Sequence, residues 1–174
     1  TRFNAVTGVG VGDVSITTDA GAGGTVVNQD LAGGSFQFGD AVSFGGTGER
    51  AIDATADVGF GSTVSLGGSL SGLRVRAEEI DFGDSVSPGD PSQVLALEPM
   101  TVDMVLNGTP AAGQLDFSQA ELDRIQAGFA GVTLGRTDST SDVRVASSGV
   151  SFTNIDATLA AGPGQAVIVG GPLN

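Results

Sequence analysis

The chain has 174 residues, 29 of them glycine, and nine phenylalanines are its only aromatic side chains; this length allows one domain with a substantial core. Twenty acidic residues against seven arginines give a net charge of −13, which disfavours nucleic acid and anionic membrane surfaces as partners. Without His, Cys or Lys there is no Ser-His-Asp triad, no thiol nucleophile, no His/Cys zinc site and no Schiff-base or Walker lysine.

A hydrophobic share of 40% with clear patterning argues against disorder. No apolar run is long enough to span a membrane, so no membrane insertion is expected, and no signal peptide is recognisable. The opening TRFNAVTG reads as the interior of a polypeptide, so a processed chain or a piece of a longer one is expected. The glycines of Gly8-Val9-Gly10-Val11-Gly12 are dense enough for a phosphate loop. The spacing and the following helix are missing, and small residues in a first coil are the better reading.

Three near-copies then recur at a 22-residue step: FGDAVSFGG from Phe38, FGSTVSLGG from Phe60 and FGDSVSPGD from Phe82. The same step picks out two apolar columns in five copies. One runs Val14, Phe36, Val58, Ile80, Val102; the other Ile16, Phe38, Phe60, Phe82, Met104. The two positions lie two residues apart, so on a strand both side chains face the same way. The residue between them is polar or small: Ser15, Gln37, Gly59, Asp81, Asp103. This is the alternation of a strand with one buried face.

A corner follows at Gly39-Asp40, Gly61-Ser62 and Gly83-Asp84, residue types that favour tight turns. A second short strand places Val42, Val64 and Val86 inward, followed by Phe44 and Leu66, with Ser43, Ser65 and Ser87 outward. Gly45-Gly46, Gly67-Gly68 and Pro88-Gly89 form the next bend, and Leu73 and Val75, one step before Leu95 and Leu97, suggest a third strand. Strand, corner, strand, bend, strand in about 22 residues is one turn of a parallel β-helix, an all-β solenoid. A coil cannot bury its inner face alone, whereas a stack can, which explains why inward positions repeat while outward ones drift. At roughly 4.8 Å per coil the chain is expected to build about eight coils over roughly 35–40 Å. The competing architecture is an antiparallel sandwich or barrel of short strands.

After Met104 the register fails. The stretch DFSQAELDRIQAGF predicts one short helix near residues 118–128, with Ser118 as N-cap, Glu121 completing a capping box, Leu122, Ile125 and Phe129 on one face, and Gly128 at the C-terminal end. Strand character returns at Val132, Val143, Val150 and Val167. The expected layout is a single domain over residues 1–174: regular coils over 1–114, a helical excursion over 115–131, and terminal coils over 132–174.

The segment ELDRIQAGFAGVTLGRTDSTSDVRV resembles a unit of the large secreted bacterial proteins of the filamentous-haemagglutinin type. Glu121-Leu122, Ile125, Gly128, Leu134-Gly135 and Arg136 carry the likeness. The resemblance implies a right-handed parallel β-helix and a secreted or cell-surface fibre or adhesin. The N-terminal secretion domain and long exact repeats of that class are missing from this sequence.

Carboxylate chemistry remains open on an outer face. RVRAEEIDFGD places Arg74, Arg76 and Glu78 toward solvent beside Glu79, a cluster read as cross-strand ion pairs or as a catalytic pair acting on polysaccharide. Asp81, Asp84 and Asp90 offer hard oxygen ligands for Ca²⁺, although no EF-hand loop or nonapeptide array surrounds them. Asp138 to Asp142 are expected to form a polar loop. Thr17-Thr18 has no Thr one step further on, so a Thr-laddered ice-binding face is disfavoured. The favoured reading is a non-enzymatic structural or adhesive module. Its partner would be itself, or adjoining coils of a longer chain, joined head to tail through open strand edges. The other reading is a β-helix domain that binds or cleaves extracellular glycan.

Overall fold

The computed structural model describes residues 14–16, 25–27 and 30–174. The sequence readings at TRFNAV, Gly8–Gly12 and Thr17-Thr18 lie outside the described residues.

Among the described residues eighteen short strands and one helical turn follow each other. The first coils contain β1 (Val14–Ile16), β2 (Thr25–Val27), β3 (Leu31–Gly33), β4 (Phe36–Phe38), β5 (Val42–Phe44), β6 (Gly48–Ala54), β7 (Asp57–Phe60), β8 (Val64–Leu66) and β9 (Leu70–Ala77). The chain continues through β10 (Glu79–Phe82), β11 (Val86–Ser87), β12 (Val94–Pro99), β13 (Asp103–Leu106) and β14 (Gln114–Phe117). After the helical turn α1 (Gln119–Leu122) come β15 (Gly131–Gly135), β16 (Val143–Val145), β17 (Ala157–Ala160) and β18 (Val167–Val169). Every pairing among the described strands is parallel. Antiparallel sandwich and barrel architectures are thereby excluded. The chain is a β-solenoid of about six turns, the number of strands in its longest sheet, β17-β15-β12-β9-β6-β3.

The 22-residue step is the register itself. Val14 pairs with Phe36, Phe36 with Val58 and Val58 with Ile80; Ile16, Phe38, Phe60 and Phe82 follow in the second column. On the second face Val42, Val64 and Val86 stack, with Ser43, Ser65 and Ser87 beside them on the outside. On the third face Leu73 lies under Leu95 and Val75 under Leu97. Burial alternates as the pattern demands: Phe36 and Phe38 are buried and Gln37 is exposed. The phenylalanines form one pile, with ring centroids 5.1 Å apart for Phe38–Phe60 and 5.3 Å for Phe60–Phe82, the planes within 10° of parallel. Phe44 meets the pile edge-on from the second face. The corner column stays glycine because the coils approach so closely: a Cβ on Gly83 would lie 2.8 Å from the carbonyl oxygen of Gly61.

The fifth member of each column is not where the step predicts. Val102 lies outside any strand and is only half-buried. Met104 is buried, but it pairs with Leu115 and Val143, not above Phe82. The ring above Phe82 is Phe117, at 6.4 Å. The chain leaves β12 and skips one level to lay down β13. It then returns through the 107–113 loop and fills the skipped level with β14. The first face therefore runs β10, β14, β13, β16, β18, while on the third face β12 pairs directly with β15. The alternation of V-D-M-V-L fits either placement, so the pattern alone does not distinguish them.

The helix is shorter than predicted and spans only Gln119–Leu122. Its capping box forms as expected, with the Ser118 hydroxyl oxygen accepting from the Glu121 N–H and the Glu121 carboxylate accepting from the Ser118 N–H. It stops at Asp123 because the next residues rejoin the solenoid. The Val86 N–H donates to the Arg124 carbonyl, and the Gln126 N–H to the Val86 carbonyl, with Ile125 bridged to Val86. Leu122, Ile125 and Phe129 are all buried. The helical turn sits where the second face lacks a counterpart to β13. There the Gln119 amide acts as a strand substitute: Nε2 donates to the Ser151 carbonyl and Oε1 accepts the Ser151 N–H, both at 2.9 Å. Among the described residues no helix is long and apolar enough to cross a membrane.

Candidate functional site

The charged cluster seen in the sequence is divided by the corner at Ala77-Glu78. Arg74 and Arg76 project from the third face, where Arg74 forks onto Asp53 at 3.0 and 3.3 Å and Arg76 grips Glu98 at 2.7 and 2.9 Å. Glu49 adds to Arg74, and Arg136 extends the row with Asp138 at 2.8 Å. Burial acts to lower the Arg74 pKa, but Asp53, Glu98 and Glu49 outweigh it and hold the guanidinium more firmly charged than usual. The Arg74 and Arg76 pairs join one coil to the next, as does the 3.9 Å Arg136–Glu98 contact, whereas Arg136–Asp138 lies within one coil; this face is an ion-paired ladder. Glu78 turns aside to accept from the Thr101 hydroxyl, and Glu79 lies on a different face.

Glu79 borders the interruption of the first face among the described strands. β10 and β14 lie next to each other, yet they belong to separate four-stranded sheets. The Phe82–Phe117 stack crosses the boundary on the inside. Outside, a cleft of about 380 Å³ opens between the strands. Glu79 and Asp81 line it from β10, Gln114 and Asp116 from β14, and Ser118 and Glu121 from the helix cap, with the loop around Pro110 as its rim. Partial dehydration raises the Glu79 pKa, and Asp81 and Asp57 add to the effect. Dehydration also raises the Asp81 carboxyl, reinforced by the charge of Glu121 and a hydrogen bond to it, while Arg124 opposes. One Asp116 oxygen accepts from the Ala111 N–H; the other is buried without a partner.

The three calcium candidates are not gathered into one place. Asp81 faces the cleft. Asp84 accepts from the Ser85 N–H, and Asp90 accepts from both the N–H and the hydroxyl of Ser92, so each of these two closes its own turn. The Ser92 contacts draw the Asp90 carboxyl below its ordinary pKa. Among the described residues no group of three or more acidic side chains has the arrangement to hold a metal ion. The cleft carries a carboxylate pair without an aromatic platform, since the rings of Phe60 and Phe82 point inward.

One feature escaped the sequence reading. Gln93 is fully buried at the bend between coils: its Oε1 accepts from the N–H groups of Gly89 and Asp90, and its Nε2 donates to the carbonyls of Gly67 and Leu70. One step earlier stands Ser71, so no column marked it. The last coil forms at Val167–Val169, where the sequence shows strand character. Val167 and Val169 continue the inward columns in register with Val143 and Val145. Exposure along those columns rises from 1% at Val143 to 41% at Val167, and from 3% at Val145 to 49% at Val169.

Comparison with protein-family models, curated proteins and solved structures finds no match to this chain. The solenoid therefore rests on its own register and packing.

Proposed function

We propose that the chain is a structural or adhesive segment of an extracellular bacterial fibre or surface protein of the filamentous-haemagglutinin kind, and that the rod continues end to end through its last coil. The observation that carries this reading is the uncovered pair Val167 and Val169. They occupy core positions, and a core column needs a coil on each side. One further coil, from a longer polypeptide or a second copy, would bury them. Each is already half covered, so closing the end contributes roughly 1 kcal/mol per valine, besides the backbone bonds of an otherwise open edge. The contact is heterologous and head to tail, so repetition extends it without closure. The reading assigns no catalysis to the chain. Its partners are its own kind and, at the exposed faces, a surface glycan. Support comes from an inventory without His, Cys or Lys and from coils held by paired charges and stacked rings.

Sedimentation of the purified chain over a range of concentrations tests this reading. Mass that grows with concentration, and that returns to the monomer in Val169→Arg, is the expected outcome. A strict monomer at every concentration would count against it.

A further inference from the structure

The first and third faces do not climb the solenoid at the same rate. Between the coil of β10 and β12 and the coil of β16 and β17, the first face takes three steps, β10 to β14 to β13 to β16. The third face takes two, β12 to β15 to β17. One strand spacing is about 4.8 Å, while facing sheets lie only about 10 Å apart. The first face is thus longer by nearly half the width of the core, and the excess has to open somewhere. It opens between β10 and β14, which do not pair, although the other described neighbours on that face all do. The interior carries the same gap. The Phe82 and Phe117 rings are 6.4 Å apart and tilted by 21°, against 5.1 and 5.3 Å and 6° and 10° for the two stacks before them.

We propose that the β10–β14 boundary is a hinge in the rod: the first face parts and closes there, and the third face is the leaf about which it bends. The three faces cross this level with unequal strength. On the third face β12 and β15 pair in an unbroken ladder from Val94–Gly131 to Leu97–Leu134. On the second face the crossing is an isolated bridge between Val86 and Ile125, in which the Val86 N–H donates to the Arg124 carbonyl and the Gln126 N–H to the Val86 carbonyl. On the first face the tie is a side chain. The Arg124 guanidinium, from the following coil, donates to the Phe82 carbonyl at the end of β10. Arg124 is the strap of the hinge, and the cleft of about 380 Å³ is its mouth. A ladder resists stretching more than one bridge and one side-chain bond do, so the bend runs in one plane and widens the first face. A rod with this joint yields to lateral load at one level without uncoupling its coils, whether or not it continues end to end.

The chain has no cysteine, so nitroxide labels on introduced cysteines test the hinge by pulsed electron paramagnetic resonance. One pair, Gln37→Cys with Arg144→Cys, spans the boundary on the first face. The other, Ala32→Cys with Thr158→Cys, spans it on the third. All four positions are exposed, and each pair is five strand steps apart on its own face, about 24 Å at ordinary spacing. The distance distribution of the first-face pair is expected to be at least twice as wide as that of the third-face pair. Arg124→Ala is expected to widen the first-face distribution further and to leave the third-face one unchanged. Equal widths for the two pairs overturn the hinge, a result that does not depend on the Arg124 variant folding. A folded Arg124→Ala protein with an unchanged first-face width overturns the strap.

Discussion

Replacing Phe60 with alanine tests the stacked interior. Phe60 is 1% exposed and sits in the middle of the pile, 5.1 Å from Phe38 and 5.3 Å from Phe82, with Phe44 edge-on at 6.4 Å. Phe→Ala in a closed core costs about 3–5 kcal/mol. Each aromatic pair adds about 0.5–1.5 kcal/mol beyond area, and the coils above and below are fixed by their own ladders, so the gap cannot collapse. A loss at the upper end, about 4–5 kcal/mol, is expected. For a chain of this size that lowers Tm by roughly 10–20 °C. Phe60→Leu, which keeps most of the volume, is expected to cost about 1.5 kcal/mol. Urea unfolding followed by far-UV circular dichroism gives the total. Hydrogen exchange shows whether the loss is global or confined to neighbouring coils, as nearest-neighbour stacking allows. A Phe60→Ala cost below about 1.5 kcal/mol, or one no larger than that of the partly buried Phe152→Ala, would refute the pile as the centre of the core.

Two other substitutions probe devices that periodicity does not reveal. Gln93→Leu leaves two N–H groups and two carbonyls without their side-chain partner inside the stack, and a loss of about 2–4 kcal/mol is expected in the same urea assay. Gly135→Ala meets two obstacles: φ is +101°, and the new Cβ would lie 2.1 Å from the Ala160 carbonyl oxygen. It is expected to cost more than about 2 kcal/mol and to loosen β15 and β17 in hydrogen exchange, and a neutral result would show that this corner relaxes freely.

The regular coils were legible because one physical constraint acts on every copy. A side chain inside the stack touches its equivalents one coil above and below, so Phe38, Phe60 and Phe82 had to remain similar at a fixed step. The constraint weakens where coils differ in length. Val102 and Met104 satisfy the step numerically, yet Leu115 and Phe117 occupy the levels above Ile80 and Phe82. The skipped level depends on how the 107–113 loop returns, and a one-dimensional step cannot represent a chain that goes up and comes back. The capping box was readable because it is local. The helix length was not, since Ile125 is drawn into pairing with Val86 from the previous coil. The acidic cleft was hidden for the same reason: Glu121 and Asp81 line one cleft only because β14 is inserted beside β10. Of its residues, the sequence marks Asp81 as a calcium candidate and Glu79 as part of a charged cluster, and nothing in the pattern pairs them with Asp116 or Glu121.

Negative-stain electron microscopy of the purified chain beside a Val167→Arg, Val169→Arg double variant tests end-to-end continuation most directly. The expected images are rods many coils long for the native sequence and short discrete particles for the variant. Discrete particles from both, at concentrations where the native chain remains folded, would contradict it.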